Sequence, residues 1–218
     1  MTFHTRLTAA SLALLVGGML LTGCTTTDSE TAPSAPAEGE KIATSLTALI
    51  EQELASEDLS GFEREVYERA ADTGEIASAD YEEAFSRYTQ CVQEGGYDET
   101  ATKLANGLYQ VSLELPDGGD AQEYYDAYNA VAEDCAKGTI ASIEALYRLQ
   151  QGNDELLSNP YEVAVLCLQE AGLAPGDYTA SDLEVEFSDG FEGVPFDVND
   201  SQAQLCFSNA GLAVAVAG

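Results

Sequence analysis

From residue 41 onward, apolar residues recur at helical spacing through most of the chain, interrupted by glycine, proline and short polar runs. Ile42, Leu46, Leu49, Ile50 and Leu54 fall on one face and predict a first helix. Ser60-Gly61-Phe62-Glu63 has the form of a capping box, in which serine and glutamate satisfy each other's backbone donors. It opens a second helix with Phe62, Val66, Arg69 and Ala70 on one face and Gly74 as its stop. Ser78 is the expected cap of a third helix. Its buried stripe is Tyr81, Ala84, Phe85, Tyr88, Cys91 and Val92, and Gly95-Gly96 ends it.

The period then changes. Tyr109, Val111, Leu113 and Leu115 alternate with Gln110, Ser112 and Glu114, the pattern of a half-buried strand. Asn106-Gly107 just before it favours a type I′ turn, so residues 98–115 predict a hairpin. Two strands alone are marginal in water, so the ribbon should lie against the helices. Helical spacing resumes through Tyr125, Tyr128, Val131, Ala132 and Cys135. After Lys137-Gly138 it runs through Ile140, Ile143, Leu146 and Tyr147 to Gly152. Asn159-Pro160 supplies a cap and a first-turn proline for a helix with the stripe Val163, Leu166, Cys167 and Ala171, stopped by Gly172. Pro175-Gly176 turns the chain. A short helix near Ser181–Ser188, a loop over Asp189–Asp197 and a last helix around Ser201–Ala210 follow. The apolar tail Leu212–Gly218 fits no element. The expected fold is mainly α, with one small β-hairpin.

One segment recurs. Cys91-Val92-Gln93-Glu94-Gly95-Gly96 returns loosely as Cys167-Leu168-Gln169-Glu170-Ala171-Gly172. This fits two distantly related units, 78–152 and 153–210, or ordinary helix-end preferences arising twice. A further cysteine follows each copy, Cys135 and Cys206. Four cysteines without a Cys-x-x-Cys pair point to disulfides formed in an oxidising compartment. Four cysteines allow three pairings. Cys91–Cys135 with Cys167–Cys206 keeps each bridge inside one unit and is the expected arrangement.

The fifth cysteine belongs to a different pattern. Arg6 precedes an apolar run, Leu12 to Leu21, that is too short to span a bilayer. The run ends in Leu21-Thr22-Gly23-Cys24, which resembles the lipobox of bacterial lipoproteins. That resemblance implies a signal peptide over 1–23, cleavage before Cys24 and a diacylglycerol on its sulfur. Two or three acyl chains anchor stably where one is marginal. Residues 24–40, rich in Thr, Ser, Pro and Ala and without aromatics, read as a disordered tether whose hydroxyls permit O-glycosylation. The folded domain is then 41–218. Tyr88, Cys91, Gly96 and Tyr97 match a Tyr-x-x-Cys-x-x-x-x-Gly-aromatic helix end. In this the chain resembles the acidic cell-surface lipoproteins of high-GC Gram-positive bacteria, over about a quarter of its length. The resemblance implies a location and disulfides, and no activity.

Charge narrows the partners. All 39 acids lie after residue 23, with only seven of the eight Lys and Arg residues, so that region carries 7 − 39 = −32. Such a field repels nucleic acid and anionic headgroups. Partners are therefore the membrane through the lipid anchor, and a protein or cell-wall component, but not nucleic acid.

Little catalytic chemistry is left. The single histidine, His4, lies in the signal peptide, which removes the commonest general base and metal ligand from the rest. His-dependent triads and the usual zinc sites are excluded, and no glycine-rich phosphate loop occurs. A glycosidase-like carboxylate pair needs two acids flanking a sugar. Glu94 and Glu170 recur in the repeated segment, but their helix-end positions suggest solvated faces. Asp197-Val198-Asn199-Asp200-Ser201 begins like a calcium loop, yet Gln202 and Ser208 stand where glycine and glutamate belong. Tyr124, Tyr125, Tyr128 and Tyr147 fit core packing better than a sugar-stacking platform, since the chain has no Trp. The expectation is a lipid-anchored extracytoplasmic binding or interaction module, not an enzyme and without a cofactor. The alternatives are a solute-binding lipoprotein and a carboxylate hydrolase acting on cell-wall glycan.

Overall fold

The structure, a computed structural model, describes residues 39–115, 118 and 120–214. The expected signal peptide, Cys24, nearly all of the expected tether and the last four residues lie outside that range. The described elements are α1 (Leu46–Leu54), α2 (Gly61–Thr73), α3 (Ser78–Glu94), β1 (Glu99–Lys103), β2 (Tyr109–Leu113), α4 (Ala121–Ala136), α5 (Ala141–Gly152), α6 (Pro160–Glu170), α7 (Ala180–Ser188) and α8 (Ser201–Ala210). The fold is mainly helical with one antiparallel hairpin, as the periodicity predicts.

Two apolar cores form. The first draws on α1 to α5 and is built on Ile50, Val66, Tyr67, Tyr81, Val92 and Ile143. The second draws on α6 to α8, around Ala164, Leu168, Leu183, Ala203 and Phe207. Each core holds one disulfide. Cys91 of α3 bridges to Cys135 of α4 (Cα–Cα 5.6 Å), and Cys167 of α6 bridges to Cys206 of α8 (5.4 Å). Both bonds need an oxidising environment, which sets the folded part outside the cytoplasm. Among the described residues, no helix is long and apolar enough to cross a membrane.

Several local expectations are corrected. Ile42 is not on the first helix; its N–H reaches the Leu156 carbonyl (2.9 Å) and its side chain is 47% exposed. In α2 the buried face holds Glu63, Val66, Tyr67 and Ala70, whereas Arg69 points outward to Asp80 (2.7 Å). Ala77, not Ser78, precedes the first turn of α3, and Ser78 Oγ lies 3.1 Å from the Tyr147 hydroxyl. The hairpin turn is not type I′, which needs positive φ at both central residues. Here Gly107 has φ 85° and Asn106 does not share it. The Gly107 N–H donates to Leu104 and the Leu104 N–H to Leu108, a longer loop that places only glycine in the left-handed region. In α6 the consecutive residues Val163, Ala164 and Val165 are all buried with Leu168, while Leu166 is exposed. Leu212 and Val214 of the unassigned tail pack on the second core.

The cores meet where α5 lies against α8. A Cβ on Gly152 would fall 2.4 Å from Asn209, so only glycine permits this approach. Asn106 Nδ2 donates to Asn209 Oδ1 (2.7 Å) across the same seam. The crossing chain is pinned by Asn153, buried, whose side-chain amide both donates to and accepts from the Leu157 backbone (2.9 Å each). Leu156 takes a left-handed φ of 54° there, a strain of about 1–2 kcal/mol. Residues near the start of the described range pair with this crossing: Lys41 lies opposite Leu157, and the Ser158 N–H donates to the Glu40 carbonyl (2.7 Å).

A buried carboxylate fastens α2 to α5. Glu63 Oε2 accepts the Ser60 N–H and Oε1 accepts Ser142 Oγ, both at 2.9 Å. Ser60 Oγ in turn donates to the Gly138 carbonyl (2.7 Å). The phenol of Tyr67 lies beside this network but has no hydrogen-bond partner among the described residues. Glu63→Ala, which strands the Ser60 and Ser142 donors, should lower the urea-unfolding free energy by about 2–4 kcal/mol; a change under about 0.5 kcal/mol would contradict the role assigned to the network. Opening the second bridge as Cys167→Ser with Cys206→Ser should cost about 4 kcal/mol by loop entropy, read as a lower denaturant midpoint, and an unchanged midpoint would contradict it.

Candidate functional site

The site is a groove of about 690 Å³ between β2, α3 and the corner of α4 and α5. Its floor is apolar, with Phe85, Tyr88, Ala132, Ala136 and Ile140. Asn129, Glu133, Glu144 and Arg148 stand at its polar edge. The groove exists because the ribbon is held along α3 instead of lying flat on α4. Tyr109 of β2 stacks on Phe85 of α3, with ring centroids 4.0 Å apart. Tyr81 stacks on Tyr147 of α5 at 4.4 Å.

Tyr81 also carries the polar link. Its hydroxyl accepts the Tyr109 N–H (3.1 Å) and donates to Glu144 Oε2 (3.1 Å). Glu144 also binds Arg148, whose other nitrogen reaches the Ser208 carbonyl (3.4 Å). Burial, and then the charge of Glu144, pushes the Tyr81 phenol well above its ordinary range. A second phenol–carboxylate set holds the far end of the ribbon. Tyr88 and Tyr128 both donate to Glu99 Oε1, at 2.8 and 2.5 Å. Burial and then the bond to Glu99 push Tyr128 up to about 12, and burial raises Tyr88 further. Glu99 Oε2 is buried without a partner among the described residues.

The residues singled out from sequence fall as follows. Cys91, Cys135, Cys167 and Cys206 form the two bridges, and Cys24 is outside the described range. Glu94 and Glu170 are exposed at the ends of α3 and α6, in different halves of the fold. Asp197 accepts the Asn199 N–H (2.9 Å), and Asp200 caps α8 through the Gln202 N–H (2.8 Å), so that loop's carboxylates serve a turn and a helix start. The tyrosines separate: Tyr147 is buried and Tyr128 half-buried on Glu99, Tyr124 packs edge-on against Tyr97, and Tyr125 is 38% exposed, contrary to the expected core packing. Sequence reading missed Tyr81, Glu99, Glu144 and Arg148 as a set. Their one legible signal was the Glu144–Arg148 spacing of four on a helix.

Charge is distributed unevenly. Among the described residues every cation is engaged. Lys41, Arg69, Arg87, Lys103, Lys137 and Arg148 pair with carboxylates, and Arg64 donates to the Leu54 and Ser56 carbonyls. The charge left over on the surface is therefore that of carboxylates.

Comparison of the chain with protein-family models, with curated proteins and with solved structures returned no match.

The buried phenols make stability depend on alkaline pH. Tyr67 and Tyr81, both wholly buried, stay neutral in the fold to higher pH than in the unfolded chain, where a phenol ionises near 10. Their contribution is complete below pH 10 and is lost as pH rises from there toward the folded values. Each such phenol should lower the unfolding free energy by about 1.4 kcal/mol per pH unit above 10. Urea midpoints measured between about pH 9 and about pH 11.5 should hold steady and then fall; a level profile would contradict the burial of these groups.

Proposed function

We propose that this protein is a lipid-anchored, extracytoplasmic binding module of the cell surface, without catalytic activity. The lipobox-like Leu21-Thr22-Gly23-Cys24 supports the anchor, and the two disulfides agree with life outside the cytoplasm. The observation that carries the reading is the groove. It has an apolar floor, and each carboxylate on its edge is already held: Glu144 by Tyr81 and Arg148, Glu133 by Lys137. Concave apolar surface with a few oriented polar groups is suited to binding. A glycan hydrolase needs two facing acids, one of them free to give a proton, and this edge offers none unpaired. A solute-binding receptor closes two lobes on a cleft, whereas α5 and α8 are in direct contact, with Gly152 against Asn209.

Cys24→Ala tests the anchor. The variant should leave the membrane fraction or accumulate unprocessed, as read by fractionation and intact mass; unchanged membrane retention with normal processing would refute lipidation at Cys24. Incubating the purified protein with peptidoglycan should release no reducing ends. Release would favour the hydrolase and overturn the binding module.

A further inference from the structure

We infer that the outer edge of β2, with the groove beside it, receives an extended basic segment of a partner protein as a third strand. This deepens the binding-module reading and rests on it. The inner face of the ribbon is committed to α3 through Glu99 on Tyr88, Lys103 on Glu82 and Tyr109 on Phe85. Residues of the opposite face, Thr100, Thr102, Gln110 and Ser112, are polar and exposed. What remains is the edge. Tyr109 sits opposite Lys103, and its N–H leaves the ribbon for the Tyr81 hydroxyl. In an antiparallel pair, outward and inward N–H groups alternate along the strand. The main-chain groups of Val111 therefore point outward too. Among the described residues they have no partner beyond the ribbon.

Exposed edges are normally blunted by lysine, proline or a bulge. Tyr109-Gln110-Val111-Ser112-Leu113 carries none of these charges or prolines, and Val111, 38% exposed, lines the groove. An added strand meets the outward backbone groups and sets alternate side chains into the groove. Charge chooses the occupant. With every described cation engaged and a formal charge of −31 on each chain, a second copy is repelled and a basic segment is drawn in. The occupied Tyr109 N–H fixes the register: pairing starts beyond it, at Val111.

The test uses the full chain in detergent and two labelled peptides of about nine residues, one alternating Val and Lys, the other Val and Glu. Anisotropy should show the Lys peptide binding at least about tenfold more tightly, and more weakly as salt is raised. Amide exchange at Val111 should slow in the complex. Val111→Pro removes an N–H that the ribbon does not use, so both disulfides and the helical circular dichroism should persist while the Lys peptide weakens at least about tenfold. Val111→Lys, which places a cation on the edge, should do the same should the proline variant fail to fold. Binding insensitive to these variants, equal binding of the Glu peptide, or no binding of either peptide overturns the inference. Self-association of the wild type that Val111→Pro abolishes also overturns it, by assigning the edge to a second copy. Failure of the underlying reading looks different: it appears as peptidoglycan cleavage.

Discussion

The position of the ribbon depends on one phenol. Tyr81 lies wholly inside the first core, flat against Tyr147, and its hydroxyl joins the backbone of β2 to a carboxylate on α5. A two-stranded ribbon has no stability to speak of alone. It is held here by the Tyr81 bond, the Phe85–Tyr109 stack and, at the other end, Glu99 between Tyr88 and Tyr128. These contacts fix the ribbon along α3, so that β2 stands off from α4 and α5, and the space left between them is the groove. Burying each phenol is favourable only because its oxygen finds a partner. Tyr67, whose oxygen has no partner among the described residues, carries that penalty.

Electrostatics act at two ranges in this molecule. Close up, each cation is matched to an acid or a carbonyl, mostly at exposed positions where a pair contributes about 0–1 kcal/mol. These pairs add little to stability, but among the described residues they leave only Arg64, held by two carbonyls, without a carboxylate partner. At longer range the excess of carboxylates repels itself in the compact state, and two covalent bridges offset that by restricting the unfolded chain. Each bridge serves its own core, so neither core relies on the other's sulfur chemistry.

Much of the fold is legible in the residues, for reasons that differ by element. α8 could be bounded from Ser201 to Ala210 because Asp200 caps it and Gly211 stops it, in a left-handed conformation. The stripe of α3 is readable because only one side of that helix meets the core. α6 is not readable in the same way. Its buried arc spans three consecutive residues, and no single helical face describes that. Spacing alone puts Arg69 on the buried face; the carboxylate of Asp80, across a helix boundary, draws it out. The groove itself was not legible. Tyr81 comes from α3 and Glu144 and Arg148 from α5, and beyond the spacing of the last two no local pattern records that they meet.

The crossing at residues 153–158 has a mechanical consequence. Glu40 and Lys41 pair with Leu157 and Ser158 before the chain reaches α1. Tension applied through the amino-terminal end is therefore borne first by main-chain bonds to the segment linking the two cores. It is shared between both halves, and α1 is spared from being peeled off the first core. The left-handed Leu156 and the doubly bonded Asn153 act as a strain-relief clamp at the point where that tension enters the fold.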